Sequence, residues 1–294
     1  MAMQSAEGAA MPRVSVLLPV YNTKEDHLRE AIDSILGQTF GDFELLIVND
    51  ASPDPNVERV VQSYADNRIR YAANPVNLGI SGTRNRLLDM AKGAYLAIMD
   101  HDDISLPQRF EKEVAYLDAH PDVGVVSCFP ELFQDRTGVE RMPVEDADIR
   151  VALVTNCALF HSASMIRKNV LAEHGIRYEE AFSPAEDYAL WCRLIPHTRF
   201  HNLPEVLFRY RFHSSNTSLT QRERMLRGGL AVRCLVKAEY PALYAMYEQT
   251  ATYVTRVKLF GCIPFLKIVQ KGERRTCFMF GIPLYRAKTH SRFA

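Results

Sequence analysis

An α/β fold, a mostly parallel sheet flanked by helices, is predicted for this chain of 294 residues. Three observations predict it. Short apolar runs alternate with stretches of helical period over residues 13–128, the βαβα order of a doubly wound sheet. The run Phe43–Val48 ends in Asn49-Asp50. The run Ala94–Met99 ends in Asp100-His101-Asp102-Asp103, three carboxylates that a core rejects unless something cationic compensates them. Ligands of such sheets bind beyond the carboxyl ends of the strands, so both acidic endings point to one edge.

Val14–Val20 is apolar and β-branched and reads as the first strand. Asn22 or Thr23 then stands where it would cap a helix with Leu28, Ala31, Ile32 and Ile35 at helical spacing. The strand to Asp50 follows. Ser52-Pro53-Asp54-Pro55 is a turn, 57–64 a helix and 69–71 a brief strand. A Gly- and Ser-bearing helix from Gly79 to Lys92 closes on Gly93, ahead of the strand to Asp100. The next helix opens with Pro107 in its first turn, where proline is favoured, and ends near His120. Val123–Ser127 is another strand. From 129 to 220 the pattern is less regular, with a helix around 185–195 and a strand near 206–212. Residues 219–250 read as helical.

Bulk properties narrow the classes. Hydrophobic residues make up 47% of the chain, enough for a sizeable core. The formal net charge is zero, with 35 Lys/Arg against 35 Asp/Glu. Residues 255–294 hold nine of those bases and one acid, Glu273, so an acidic body carries a basic tail. That asymmetry points to an acidic partner surface, either anionic lipid or nucleic acid, and no nucleic-acid module accompanies it. The six cysteines form no Cys-x-x-Cys pair and read as isolated buried thiols in a reducing compartment. Residues 1–12 lack the pattern of a signal peptide, and no apolar run nears the roughly 20 residues of a membrane span. A cytoplasmic protein, peripheral at the inner face of the cell membrane, is expected. The tail echoes itself: Leu259-Phe260-Gly261-Cys262-Ile263-Pro264 is answered by Met279-Phe280-Gly281-Ile282-Pro283.

Several stretches carry chemistry. Pro19-Val20-Tyr21-Asn22 places backbone groups and an aromatic ring directly after the first strand, though a plain Pro turn reads the same way. Asp50 is placed to bond a nucleotide's ribose or base; equally, Asp50 or Ser52 is a turn cap. Asn77-Leu78-Gly79, with Arg84 behind it, is a polar helix entry suited to an anion. In Asp100-His101-Asp102-Asp103 the carboxylates suit Mg²⁺ or Mn²⁺ completed by phosphate oxygens and water. Asp103 also stands where it would cap the helix near Pro107. Glu186-Asp187 opens a helix, where the dipole alone favours acids, and one of the pair would accept a proton from an incoming hydroxyl. His213 is a candidate metal or diphosphate contact, or a structural histidine.

Taken in order, these stretches resemble the inverting family 2 glycosyltransferases of the GT-A fold. The matching pieces are Pro19–Asn22, Asn49–Ser52, Asn77-Leu78-Gly79 with Thr83-Arg84-Asn85, Asp100–Asp103, Glu186-Asp187 and Tyr210–Asn216. They cover residues 13 to about 220. The resemblance implies a Rossmann-like catalytic domain at 13–220, with a nucleotide-binding half at 13–128 and an acceptor half at 129–220. A disordered stretch would precede it at 1–12, and a helical segment, 221–254, and a basic amphipathic tail, 255–294, would follow. It implies a UDP-sugar donor with a divalent metal, Mn²⁺ or Mg²⁺, on its diphosphate. Pro19, Tyr21, Asn22, Asp50, Asn77, Gly79, Arg84 and Asp100 would then line the donor site. Asp102, Asp100 and His213 would hold the metal, and Asp187, with Glu186 beside it, would be the base.

The tail resembles the C-terminal segments of some bacterial surface-polysaccharide and lipooligosaccharide transferases. This implies a glycan or lipid-linked acceptor and contact of 255–294 with an anionic membrane, or else a cap packed on the catalytic domain. The competing class is a catalytically silent nucleotide-sugar-binding scaffold subunit, which metal-dependent hydrolysis of UDP-sugars would exclude. A nucleotidyltransferase would carry a Gly-rich basic loop after the first strand, and Pro19–Asn22 is not one.

Overall fold

The computed structural model describes residues 11–249 with their side chains and 250, 252–259, 263–271, 274–279 and 282–288 as backbone. The expected disordered stretch at 1–12 falls mostly outside these. Residues 1–233 and 234–294 form two compact units.

The first unit runs β1 (Val14–Val20), α1 (Glu25–Leu36), β2 (Phe43–Asn49), α2 (Asn56–Gln62), β3 (Ile69–Ala73), α3 (Gly79–Met90), β4 (Tyr95–Ile98), β5 (Ile104–Ser105) and α4 (Arg109–Ala119). It continues β6 (Val123–Gln134), β7 (Gly138–Val139), α5 (Asp146–Ala152), β8 (Met165–Arg167), α6 (Lys168–Glu173), α7 (Glu186–Leu194), β9 (Arg199–Phe212) and α8 (Thr217–Thr220). Helices α9 (Arg222–Glu239) and α10 (Pro241–Thr250) follow, then strands β10 (Thr252–Leu259), β11 (Ile263–Lys271), β12 (Arg274–Met279) and β13 (Ile282–Lys288). The boundary between units falls within α9.

One sheet is ordered β3-β2-β1-β4-β8-β6-β9-β5, with β7 on the edge of β6. Strands β3, β2, β1 and β4 are mutually parallel. Every residue of β1 and β2 is buried, as befits central parallel strands covered on both faces. Helix α1 buries Leu28, Ala31, Ile32 and Ile35, the stripe its spacing predicts. Gly93 is required ahead of β4: a Cβ there would lie 2.6 Å from the Ser15 nitrogen.

Three features depart from the expectation. The parallel run does not extend through 128, because β8 inserts antiparallel between β4 and β6. Three residues are too few to show a period, so β8 was invisible in the sequence. The cap of α1 is Lys24, with no side-chain bond, and neither Asn22 nor Thr23 caps it. Asp103 caps no helix either; α4 begins at Arg109.

The second unit contains an antiparallel sheet ordered β10-β11-β12-β13. Among the described residues, the basic appendage is therefore a meander of strands between Thr252 and Lys288, and the helices end at Thr250. Among the described residues, no helix is long and apolar enough to cross a membrane. Cys128 and Cys192 are buried, whereas Cys234 is exposed, against the expectation of buried thiols throughout.

Candidate active site

The ends of β1 and β2 are locked together by left-handed backbone. Asn22 has φ 50° and Ala51 φ 55°, and the Asn22 amide donates to Ser52 Oγ at 2.9 Å. Tyr21, 48% exposed, stands open at this edge. Pro19 lies inside β1, buried and paired with Val48, so it shapes the strand end from within. Asp50 is buried, and its Oδ1 accepts from Asn74 Nδ2 at 2.6 Å and from the Leu78 amide at 2.8 Å. It thus braces the loop after β3 and is no simple cap of its own turn. Asn77 reinforces the brace, donating to the Asp50 carbonyl at 3.2 Å and accepting from the Gly79 amide at 3.1 Å. Gly79 has φ +73°, which an L side chain adopts only with strain.

Arg84 leaves this helix entry and turns toward the acids. Its Nη1 donates to Glu186 Oε1 at 2.7 Å and its Nη2 to Asp100 Oδ1 at 3.1 Å. Its ring neighbour is Tyr178, 5.5 Å away. Burial opposes the Arg84 charge, but Asp100 and Glu186 outweigh it and raise its pKa above the ordinary value. Glu186 is buried, and its Oε2 has no hydrogen-bond partner among the described residues. An unsatisfied buried carboxylate oxygen is costly in a folded chain.

Asp187 follows at the start of α7. Its Oδ1 accepts from the Tyr188 amide at 2.6 Å, and Cys157 Sγ lies 4.0 Å from its Oδ2. Burial first, then the neighbouring Glu186, push its carboxyl up to about 6. Such a group is largely ionised at neutral pH yet basic enough to take a proton, the compromise general bases reach.

The acidic turn after β4 is pinned by β9. Asp102 Oδ2 lies 2.9 Å from His213 Nε2, and Ser215 Oγ lies 2.8 Å from the other ring nitrogen. Arg211 donates its backbone amide to Asp103 Oδ1 at 2.8 Å and its Nε to the Asp102 carbonyl at 2.6 Å. Ser162 Oγ donates to Asp103 Oδ2 at 3.0 Å. Fully buried, with Asp102 and Asp100 nearby, Asp103 is pushed well above the carboxylate range. With both oxygens accepting hydrogen bonds, it braces this turn.

The donor set suits a hard divalent ion. Asp102 and His213 already converge, and Asp100 keeps a partly exposed carboxylate. Among the described residues, no group of three or more His, Cys, Asp or Glu is assembled to hold an ion alone.

Residues 15–175 match the family described as Glycosyl transferase family 2. The chain belongs to glycosyl transferase family 2. An uncharacterized glycosyltransferase of Methanocaldococcus jannaschii is 30% identical over 217 residues, spanning 71% of this chain and 74% of the relative. One from Haemophilus influenzae is 32% identical over 219 residues, spanning 70% and 68%. Among solved structures, S. aureus TarS in complex with UDP-GlcNAc superposes with a TM-score of 0.66 at 18% identity, covering 81% of this chain and 72% of that one. The mannosyltransferase PcManGT of Pyrobaculum calidifontis, in complex with GDP-Man and Mn²⁺, gives 0.61 at 20% identity, covering 81% and 69%. The fold is that of these GT-A neighbours.

In this family 2 glycosyltransferase the tertiary structure gathers Arg84, Asp100, Glu186 and Asp187 into one charged cluster and Asp102 with His213 into another. Sequence reading missed the bracing roles of Arg211 and Ser162. Arg211 stood inside the Tyr210–Asn216 stretch, so a signal was present; Ser162 carried none.

Proposed function

We propose that this glycosyltransferase moves a hexose or N-acetylhexosamine from a UDP-sugar to a hydroxyl of a glycan or lipid-linked acceptor. The anomeric centre inverts, and a β-glycosidic bond forms in cell-surface polysaccharide or lipooligosaccharide synthesis. The observation that carries the reading is Asp187, a half-buried carboxylate raised to about 6 beside a donor-side acidic cluster. Tyr21, Asn22 and Asp50 border the nucleoside end of the crevice. Asp102 and His213, with Asp100, would hold the divalent ion, which when bound supplies Lewis-acid neutralisation of charge on the departing diphosphate.

Asp187 takes the proton of the acceptor hydroxyl as its oxygen bonds to the anomeric carbon. The bond from that carbon to the diphosphate oxygen breaks on the opposite face, and the nucleoside diphosphate leaves with its electron pair. Displacement through an oxocarbenium-like state inverts the centre, as in inverting hydrolases. Arg84 holds Glu186 and Asp100 in place around this pair. Segment 255–294 is read as a peripheral contact with the inner membrane face, which would present a lipid-linked acceptor.

A panel of UDP-, GDP- and TDP-sugars tested for slow hydrolysis with Mn²⁺ and Mg²⁺ checks the donor. Metal-stimulated release of UDP is expected. Hydrolysis of GDP-sugars alone, or none with any donor, would overturn the UDP assignment.

A further inference from the structure

The repeated tail motifs occupy equivalent places in two hairpins. Ile263-Pro264-Phe265-Leu266-Lys267 opens β11, and Ile282-Pro283-Leu284-Tyr285-Arg286 opens β13. In both, the pairing slips by one residue at the same point. Val257 pairs with Leu266 and Lys258 with Pro264, skipping Phe265. Cys277 pairs with Tyr285 and Phe278 with Pro283, skipping Leu284. Each skip is a β-bulge, beside which a strand proline is tolerated. The sequence echo is thus a structural repeat with a fixed register.

That register sorts charge. Alternate residues of a strand fall on opposite faces, and directly paired residues share one. Arg256 pairs with Lys267, and Lys258 lies two residues from Arg256 on the same face. Val269 pairs with Thr276, which pairs with Arg286. Lys271 pairs with Arg274, which pairs with Lys288. All of these belong to one face, so it carries seven of the nine bases of 255–294. The opposite face carries Val257, Leu266, Met279 and Ile282 in one row, Ile268, Cys277 and Tyr285 in the next, and one base, Arg275. The four strands contain no Asp or Glu.

We propose that the basic face of this four-stranded sheet is the docking surface for the anionic headgroups of a lipid bilayer. The proposal rests on the reading that 255–294 meets a membrane, and adds which face does so. A broad, acid-free face complements a plane of negative headgroups. Val254, Val269 and Phe278 lie on that same face among the bases, a mixture suited to the boundary of headgroup and acyl chain and of no use on a phosphate backbone.

The test is co-sedimentation of the full chain with phosphatidylcholine vesicles, with and without phosphatidylglycerol. The wild type is expected to bind the anionic vesicles and to be released by salt. The triple variant Arg256→Gln, Lys267→Gln, Arg286→Gln should lose affinity about a hundredfold, the factor for three surface bases. An equal charge change elsewhere, Lys92→Gln, Arg136→Gln, Arg141→Gln, should leave binding within a few fold. The charge-preserving triple Arg256→Lys, Lys267→Arg, Arg286→Lys should bind as the wild type, separating charge from misfolding. Equal losses in both neutralised triples would overturn the face assignment, as would unchanged binding by the sheet triple. Absence of wild-type binding to anionic vesicles, or preference for an oligonucleotide duplex, would overturn the membrane reading itself. Donor hydrolysis, measured alongside, should be unchanged in every triple.

Discussion

Arg84 and Glu186, 102 residues apart in the chain, form a buried ion pair at 2.7 Å, and the second arm of the same guanidinium reaches Asp100. One cation therefore ties the acidic turn after β4 to the start of the helix bearing Asp187. Removing it leaves both carboxylates without their shared cation. Loss of one partner of a buried pair typically costs about 3–5 kcal/mol. Arg84→Ala should lower stability by that order, read by urea unfolding, while Glu186→Gln, which keeps an acceptor oxygen, should cost less. Equal stability of Arg84→Ala and wild type would remove Arg84 from this role.

Asp187 should set the acid limb of the pH–rate profile. With its carboxyl raised to about 6, turnover should decline as pH falls through that value, because protonation removes the base. Asp187→Asn should retain UDP binding and lose about 10²–10⁴-fold in turnover, the usual weight of a general base. Near-normal turnover in that variant would exclude Asp187 as the base.

His213 orients Asp102 at 2.9 Å and is itself held by Ser215. His213→Ala, which removes a proposed ligand together with its hold on Asp102, should weaken apparent Mn²⁺ affinity by at least the roughly ten- to hundredfold that is usual for losing a group that positions a metal carboxylate. Metal titration of UDP binding measures it. Unchanged metal dependence would place the ion elsewhere.

Asp103 makes a stability prediction with a definite sign. Its folded pKa is raised, so the folded state binds its proton more tightly than the unfolded chain does. Stability then falls as pH rises above the usual carboxylate range. Asp103→Asn, which keeps an acceptor for the Arg211 amide, should flatten that dependence in thermal melts at several pH values. Asp103→Ala leaves the Arg211 amide and Ser162 hydroxyl without this acceptor, at about 1–3 kcal/mol each.

The sequence by itself determined the parallel core and the order of the acidic strand ends. Those features are local: wholly apolar runs make buried strands, and 3.6-residue spacing makes helices. Hence β1, β2, β4, α1 and α7 emerged at nearly their observed bounds, and Asp50, Asp100, Asp102 and Glu186-Asp187 were legible as acids at element ends. Only the tertiary structure decided what those acids do to one another. Asp102 meets His213, Arg84 joins Asp100 to Glu186, and Asp103 is buried against Arg211 and Ser162, all across tens to hundreds of residues. Such pairings depend on the insertion of the three-residue strand β8 and on the long pairing of β6 with β9, which no local period encodes. The raised carboxyl of Asp187 has the same origin. Its charge is fixed by composition, but its basicity depends on burial and on a neighbouring carboxylate, and burial exists only once the chain has folded.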